Sequence, residues 1–209
     1  MSVKGLIFDL DGVIVSTEQN HYQSWTRIAE LIGARFDDEI NEQIKGVSRK
    51  DSLQLISDRS GITLDEVRFN ELLKLKNTFY RESIADLSRK DILTGVLELV
   101  ERAKERGLKV MIGSSSRNAR VILDKLGLLE TFDHVVDGND VERAKPDPEI
   151  FTKGAKLAGL SPSQCVVFED AASGIEAARL GGFRAIGVGN PDIKHLGDEY
   201  LNDLNEFEL

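Results

Sequence analysis

The 209-residue sequence is defined first by what it has little of. It carries one cysteine, Cys165, so no disulfide can close within the chain, and a secreted, disulfide-stapled scaffold is excluded. It has no run of about 18 or more apolar residues, the length an α-helical membrane span requires. Basic charge is also scarce: 27 Lys and Arg stand against 36 Asp and Glu, a net charge of −9. Non-specific nucleic-acid binding needs a basic face, so no nucleic-acid partner is expected. A small anionic substrate remains compatible, because a few cations in a cleft override the global charge. The N-terminal apolar stretch, Val3 to Phe8, is too short for a signal-peptide core and ends in carboxylates, so a cytoplasmic protein is expected. Neither repeats nor low-complexity segments occur, and a chain of this length with 41% hydrophobic residues buries a core without help from a metal or disulfide.

What is present has two rhythms. Val3–Phe8 reads as a strand running into the turn Asp9-Leu10-Asp11-Gly12. From Glu18 to Ile32 the pattern becomes helical, with Tyr22, Trp25, Ala29 and Ile32 at three- and four-residue spacing and Gly33 as terminator. No strand is evident from about Phe36 to Leu87; helical segments around 52–58 and 64–80 are broken at Gly46 and Gly61. Residues 16–91 are therefore expected to form a helical insertion between 1–15 and 92–209. Beyond it, strands (108–113, 134–136, 165–168, 184–188) alternate with helices (95–106, 117–126, 148–158, 173–180). Near-continuous apolar strands separated by helices predict an α/β fold with a doubly wound parallel sheet. The acidic tail from Asp198 is expected to add a short strand or helix at the sheet edge.

Ligands of such sheets bind beyond the carboxyl ends of the strands. There Phe8 is followed by Asp9 and Asp11, Gly113 by Ser114-Ser115-Ser116, and Phe168 by Glu169-Asp170, while Lys145-Pro146 precedes a helix start. Each alone has a plain reading as a turn, helix cap or solvated loop; four in this order on one rim do not. Carboxylates crowded together raise one another's pKa. A hard divalent cation resolves the repulsion, and oxygen-only donors point to Mg2+. An Asp beside it suits nucleophilic attack on phosphorus, a second carboxylate two residues on suits proton transfer, and Lys and Ser suit phosphate oxygens.

These motifs resemble those of the haloacid dehalogenase superfamily: Asp9-Leu-Asp11-Gly12-Val13 its first, Ser114 its second, Lys145 its third and Glu169-Asp170 its fourth. The resemblance covers essentially the whole chain, and the helical insertion resembles that superfamily's cap domain. Within it, Ile44-Lys45-Gly46-Val47-Ser48-Arg49, Lys76-Asn77 and Ser116-Arg117-Asn118 resemble the β-phosphoglucomutase branch. The resemblance implies Asp9 as nucleophile, Asp11 as general acid/base, and Ser114 and Lys145 holding the transferring phosphate. It implies Mg2+ held by Asp9, the backbone carbonyl of Asp11, Glu169 and Asp170. It assigns Arg49, Ser116, Arg117 and Asn118 to a second phosphate and Gly46, Val47, Ser52 and Lys76 to a sugar, with His21 and Ser115 as further substrate-binding residues. Ser16 stands where many relatives carry Asp, and Arg117 where the mutase branch carries Lys.

The expected activity is a phosphosugar mutase acting as a monomer on β-glucose 1-phosphate; the alternative is a sugar-phosphate phosphatase on the same scaffold. A mutase must grip a phosphate at each end of the sugar, whereas a phosphatase needs one strong site. Trp25 fits cap core better than a sugar platform, Lys76 divides evenly between solvated face and sugar site, and Cys165 reads as an inert buried thiol.

Overall fold

The computed structural model describes residues 2–44 and 47–209. The chain divides into two compact units, Met1–Ser16 with Leu87–Leu209, and Thr17–Asp86, so Ser16 and residues 87–91 group with the first.

The first unit is a six-stranded sheet with strand order β3-β2-β1-β4-β5-β6. The strands are β1 (Gly5–Phe8), β2 (Lys109–Gly113), β3 (His134–Val136), β4 (Cys165–Glu169), β5 (Arg184–Val188) and β6 (Glu199–Leu201). Every neighbouring pair is parallel. Helices α5 (Val96–Glu105), α6 (Ala119–Lys125), α7 (Glu149–Leu157) and α8 (Ala172–Leu180) connect them. The tail supplies the edge strand β6, followed by a short 3-10 turn.

Strand β1 lies between β2 and β4, where the order reverses. Its four residues are fully buried, as a strand covered on both faces requires. Phe8 stands opposite both Ile112 and Phe168, so the next residues, Asp9 and Glu169, emerge side by side at the sheet's carboxyl rim. The alternation of β1 divides the core. Ile7 packs with Met111, Val167, Phe151 and Ile175. Phe8 instead stacks on Phe168 at 4.9 Å and meets Phe132 edge-on. After β1 the chain turns at Gly12, whose φ of +82° only glycine adopts readily. Val15 then pairs antiparallel with Ile92, and Leu93 donates to the Ile14 carbonyl.

The second unit is helical: α1 (Glu18–Ile32), α2 (Asp38–Ile44), α3 (Arg49–Arg59) and α4 (Glu66–Ser83). Gly33 ends α1 in the left-handed region. Ser48 and Asp65 begin α3 and α4, each accepting a backbone N–H on its side-chain oxygen. The apolar faces meet around Trp25, Ile28, Leu53, Ile56 and Leu72, so Trp25 is core here. The two ends of the unit are tied together: the Tyr80 hydroxyl donates to Thr17 Oγ1 at 3.0 Å and Asn20 Nδ2 to the Ser83 carbonyl at 2.8 Å.

The helix expected over 117–126 begins later, at Ala119. Serine side chains take the preceding backbone amides instead: Ser114 Oγ accepts from the Ser116 N–H and Ser116 Oγ from the Asn118 N–H. Such local bonds compete with helix formation and fold this segment as a loop. Among the described residues no helix is long and apolar enough to cross a membrane. Cys165 is buried, and its burial pushes the thiol up to about 11, out of reach of thiolate chemistry near neutral pH.

Candidate active site

Within the α/β unit, the strand register brings two of the predicted carboxylates, Asp9 and Glu169, to one ammonium. Lys145 Nζ donates to Asp9 Oδ1 at 2.5 Å and also to Glu169 Oε1. All three side chains are buried. Burial works against the ammonium, but Asp9 and Glu169 overcome it and hold the Lys145 pKa above its usual range. The cluster still has more negative than positive charge. Burial and the neighbouring Asp9 charge outweigh Lys145 at Glu169 and push its carboxyl up. Asp170 is also held well above its ordinary range, first by burial and then by Glu169, Asp9 and Asp11.

Local structure holds each group. Glu169 Oε2 accepts the backbone N–H groups of Asp170 and Ala171, both at 3.0 Å, at the start of α8. A Cβ at Gly174 would overlap the Glu169 carboxylate, so this approach to α8 needs glycine. Gly12 does the same for Asp170, which packs against its Cα. Asn190, on the loop after β5, donates to the Asp170 carbonyl at 2.9 Å. The Lys145–Pro146 peptide is cis, and the segment carrying it is clamped by Glu149. Glu149 accepts the backbone N–H groups of Glu142 and Arg143, which lower its pKa. Asp147 in turn caps the Glu149 N–H at 2.9 Å.

The donor set can be tested against Mg2+. Asp9, Asp11 and Asp170 offer oxygen only, and the mutual repulsion that raises Asp170 is what a divalent cation relieves. Both Glu169 oxygens already accept bonds, from Lys145 and from backbone amides, so a metal would share it with those partners. Among the described residues no three His, Cys, Asp or Glu side chains form a complete metal cage. Hard oxygen donors of this kind are the class Mg2+ takes, usually one or two carboxylates with water and phosphate oxygens.

The Ser114–Asn118 loop follows β2. Ser114 is buried and its N–H bonds the Val136 carbonyl at 3.0 Å. Because Ser114 and Ser116 each accept a backbone N–H, neither spends its own hydroxyl proton on those bonds, and a hydroxyl so held is set up as a donor to an anion. Arg117 is exposed and Asn118 buried; Ser115 Oγ is buried with no hydrogen-bond partner among the described residues.

In the helical unit, Lys76 is buried rather than solvated. Its Nζ lies 2.8 Å from His21 Nδ1 and over the rings of Tyr80 (4.6 Å) and Trp25 (5.1 Å). An ammonium only donates, so Nδ1 accepts and the imidazole proton belongs on Nε2. Burial first, then Lys76 and Arg49, hold the His21 pKa well below its ordinary value. Arg49 Nη2 donates to Asn77 Oδ1 at 2.9 Å. Ser52, one turn into α3, is buried and returns its hydroxyl to the Ser48 carbonyl, and Val47 is half-buried. Gly46, expected at the sugar site, lies outside the described residues.

Sequence reasoning missed Glu149 and Asn77 as holders of Lys145 and Arg49. The acidic pair Asp147-Pro148-Glu149 at a helix start was the available signal for the first.

A parallel sheet of this strand order with an aspartate at the end of β1, a lysine-bridged carboxylate pair and a helical insertion after the first strand defines the haloacid dehalogenase-type α/β fold. Residues 3–182 match the family described as haloacid dehalogenase-like hydrolase, and the chain belongs to that family of phosphotransferase and phosphatase enzymes. It is 39% identical over 189 residues to β-phosphoglucomutase of Bacillus subtilis, covering 90% of this chain and 84% of that one. It is 35% identical over 188 residues to the fructose-1-phosphate phosphatase YqaB of Escherichia coli, covering 88% and 95%. A crystal structure of β-phosphoglucomutase from Clostridium difficile superposes with a TM-score of 0.94 at 32% identity, covering 99% of this chain and 94% of that one.

Proposed function

We propose that the chain is a Mg2+-dependent phosphosugar mutase that interconverts β-glucose 1-phosphate and glucose 6-phosphate. The observation that carries this reading is the duplication of phosphate-type donors. Lys145 is bonded to Asp9, while Ser116 and Arg117, further along the loop that begins with Ser114, offer a second hydroxyl and a guanidinium; the reading adds Arg49 of the helical unit to that second set. Similarity to two β-phosphoglucomutases supports it.

In this reading Asp9 attacks phosphorus, a bond forms from its carboxylate oxygen, and the bond from phosphorus to the sugar oxygen breaks. Asp11 gives a proton to that leaving oxygen. It later takes the proton from the sugar hydroxyl that attacks the aspartyl-phosphate. Lys145 and Ser114 hold the phosphoryl oxygens. Asp9, the Asp11 carbonyl, Glu169 and Asp170 would hold Mg2+, which would supply charge neutralisation at the phosphoryl group. Arg49, Ser116, Arg117 and Asn118 serve the other phosphate and Val47, Ser52 and Lys76 the sugar, with His21 and Ser115 as further substrate-binding residues. Lys76 delivers its charge already desolvated and His21 remains neutral, a pairing suited to hydroxyl groups.

The test is priming. A trace of glucose 1,6-bisphosphate should remove a lag in β-glucose 1-phosphate turnover, and Asp9→Asn should abolish both turnover and phosphoenzyme. Turnover indifferent to the bisphosphate, or surviving Asp9→Asn, would overturn the reading. The second reading, a sugar-phosphate phosphatase, is favoured by the similarity to the fructose-1-phosphate phosphatase.

A further inference from the structure

The loop after β3 is built around a buried carboxylate that the proposed chemistry does not use. Asp137 is 1% exposed. Its carboxylate accepts the Asn139 N–H at 2.8 Å and pairs with Arg120 Nε at 3.3 Å. Asp140 accepts the Asp137 N–H and an Arg120 Nη2 bond, both at 2.9 Å, and Arg120 Nη2 also reaches the Val135 carbonyl at 2.7 Å. Arg120 sits on α6, directly after the Ser114–Asn118 loop. The rigid product of this circuit is the pair Gly138-Asn139, which grips that loop by its backbone. Asn139 Nδ2 donates to the Arg117 carbonyl at 3.0 Å and the Gly138 N–H to the Ser116 carbonyl at 3.4 Å. Gly138 lies so close to the Ser115 carbonyl that a Cβ there would overlap it.

The consequence is one of peptide orientation. In a planar trans peptide the carbonyl and the amide point in opposite directions. With the Ser116 and Arg117 carbonyls turned to Gly138 and Asn139, the Arg117 and Asn118 amides point away, the second of them onto Ser116 Oγ. Two carbonyl dipoles that would repel an anion are thereby removed from the side that presents amides and the Ser116 hydroxyl.

We propose that Asn139 is a positioning residue for the second phosphate, acting by holding the Arg117 carbonyl away from it. This rests on the reading that Ser116–Asn118 serves that phosphate. The experiment uses the full chain with Mg2+, comparing the wild type with Asn139→Ala and the isosteric Asn139→Asp. Two readouts are the KM for β-glucose 1-phosphate isomerisation and kcat/KM for hydrolysis of p-nitrophenyl phosphate, whose phosphate needs only the Asp9 end. Loss of one or two hydrogen bonds should raise the isomerisation KM about three- to tenfold. Asn139→Asp should be the worse variant, because a carboxylate repels the carbonyl it replaces a donor to, while p-nitrophenyl phosphate hydrolysis should stay within about twofold. A role in filling space predicts the reverse order of the two variants and would overturn the proposal, as would equal losses on both substrates or an unchanged KM. Arg117→Ala separates the two layers. If it raises the KM while the Asn139 variants do not, only the positioning role fails; if it leaves the KM unchanged, the second-phosphate reading fails and this proposal with it.

Discussion

Lys145 Nζ lies 2.5 Å from Asp9 Oδ1, and both side chains are buried at the carboxyl rim of the sheet. The same ammonium reaches Glu169, so one cation holds two carboxylates that the strand register brings side by side.

Replacing Lys145 by Met removes the cation these two carboxylates share. Breaking a buried pair from one side leaves uncompensated charge and should lower stability by about 3 kcal/mol or more. Turnover should fall by about two orders of magnitude or more, the scale of losing a transition-state charge partner. Denaturant unfolding and steady-state assays check both. A stable, active Lys145→Met enzyme would contradict the role given to the pair.

Gly174→Ala tests how Glu169 is held. The new methyl overlaps the carboxylate, while the residue lies in a helix where alanine is otherwise favoured. Propensity alone predicts a gain in stability. The close approach predicts a loss of about 1–3 kcal/mol and weaker turnover. Thermal unfolding decides the sign.

How much of this was legible in sequence follows the range of the interactions. Strand ends carry their own signal, because an apolar run that stops at Asp9, Ser114 or Glu169 states where the sheet's rim lies. The expected helix at Arg117 began two residues later because serine side chains captured the amides, a local competition that periodicity does not register. Helix α2 gave no separate signal, being seven residues with three buried positions, Ile40, Asn41 and Ile44. The Lys76–His21 and Arg49–Asn77 pairs join residues 55 and 28 positions apart, and helical spacing says nothing about partners on another helix. For the same reason the sequence leaves Lys76 between solvated and buried, and the packing of α1 against α4 buries it.

His21 gives a pH dependence whose sign follows from its neutral, desolvated state. Its folded pKa is depressed below 6.5 by burial, Lys76 and Arg49, so in that window the unfolded chain binds more protons. Stability is therefore fully present above about pH 6.5 and is lost as pH falls from there through the folded value. The urea midpoint of the wild type should drop on acidification below 6.5, and His21→Asn should remove part of that slope. An identical slope in the variant would show that His21 is not neutral in the folded state.

The central claim concerns where the phosphoryl group goes. Purified protein is supplied with β-glucose 1-phosphate, Mg2+ and a trace of glucose 1,6-bisphosphate, and glucose 6-phosphate and inorganic phosphate are followed in the same sample. The account predicts glucose 6-phosphate formation far ahead of phosphate release. Phosphate release that keeps pace with or outruns isomerisation would contradict it and leave a phosphatase.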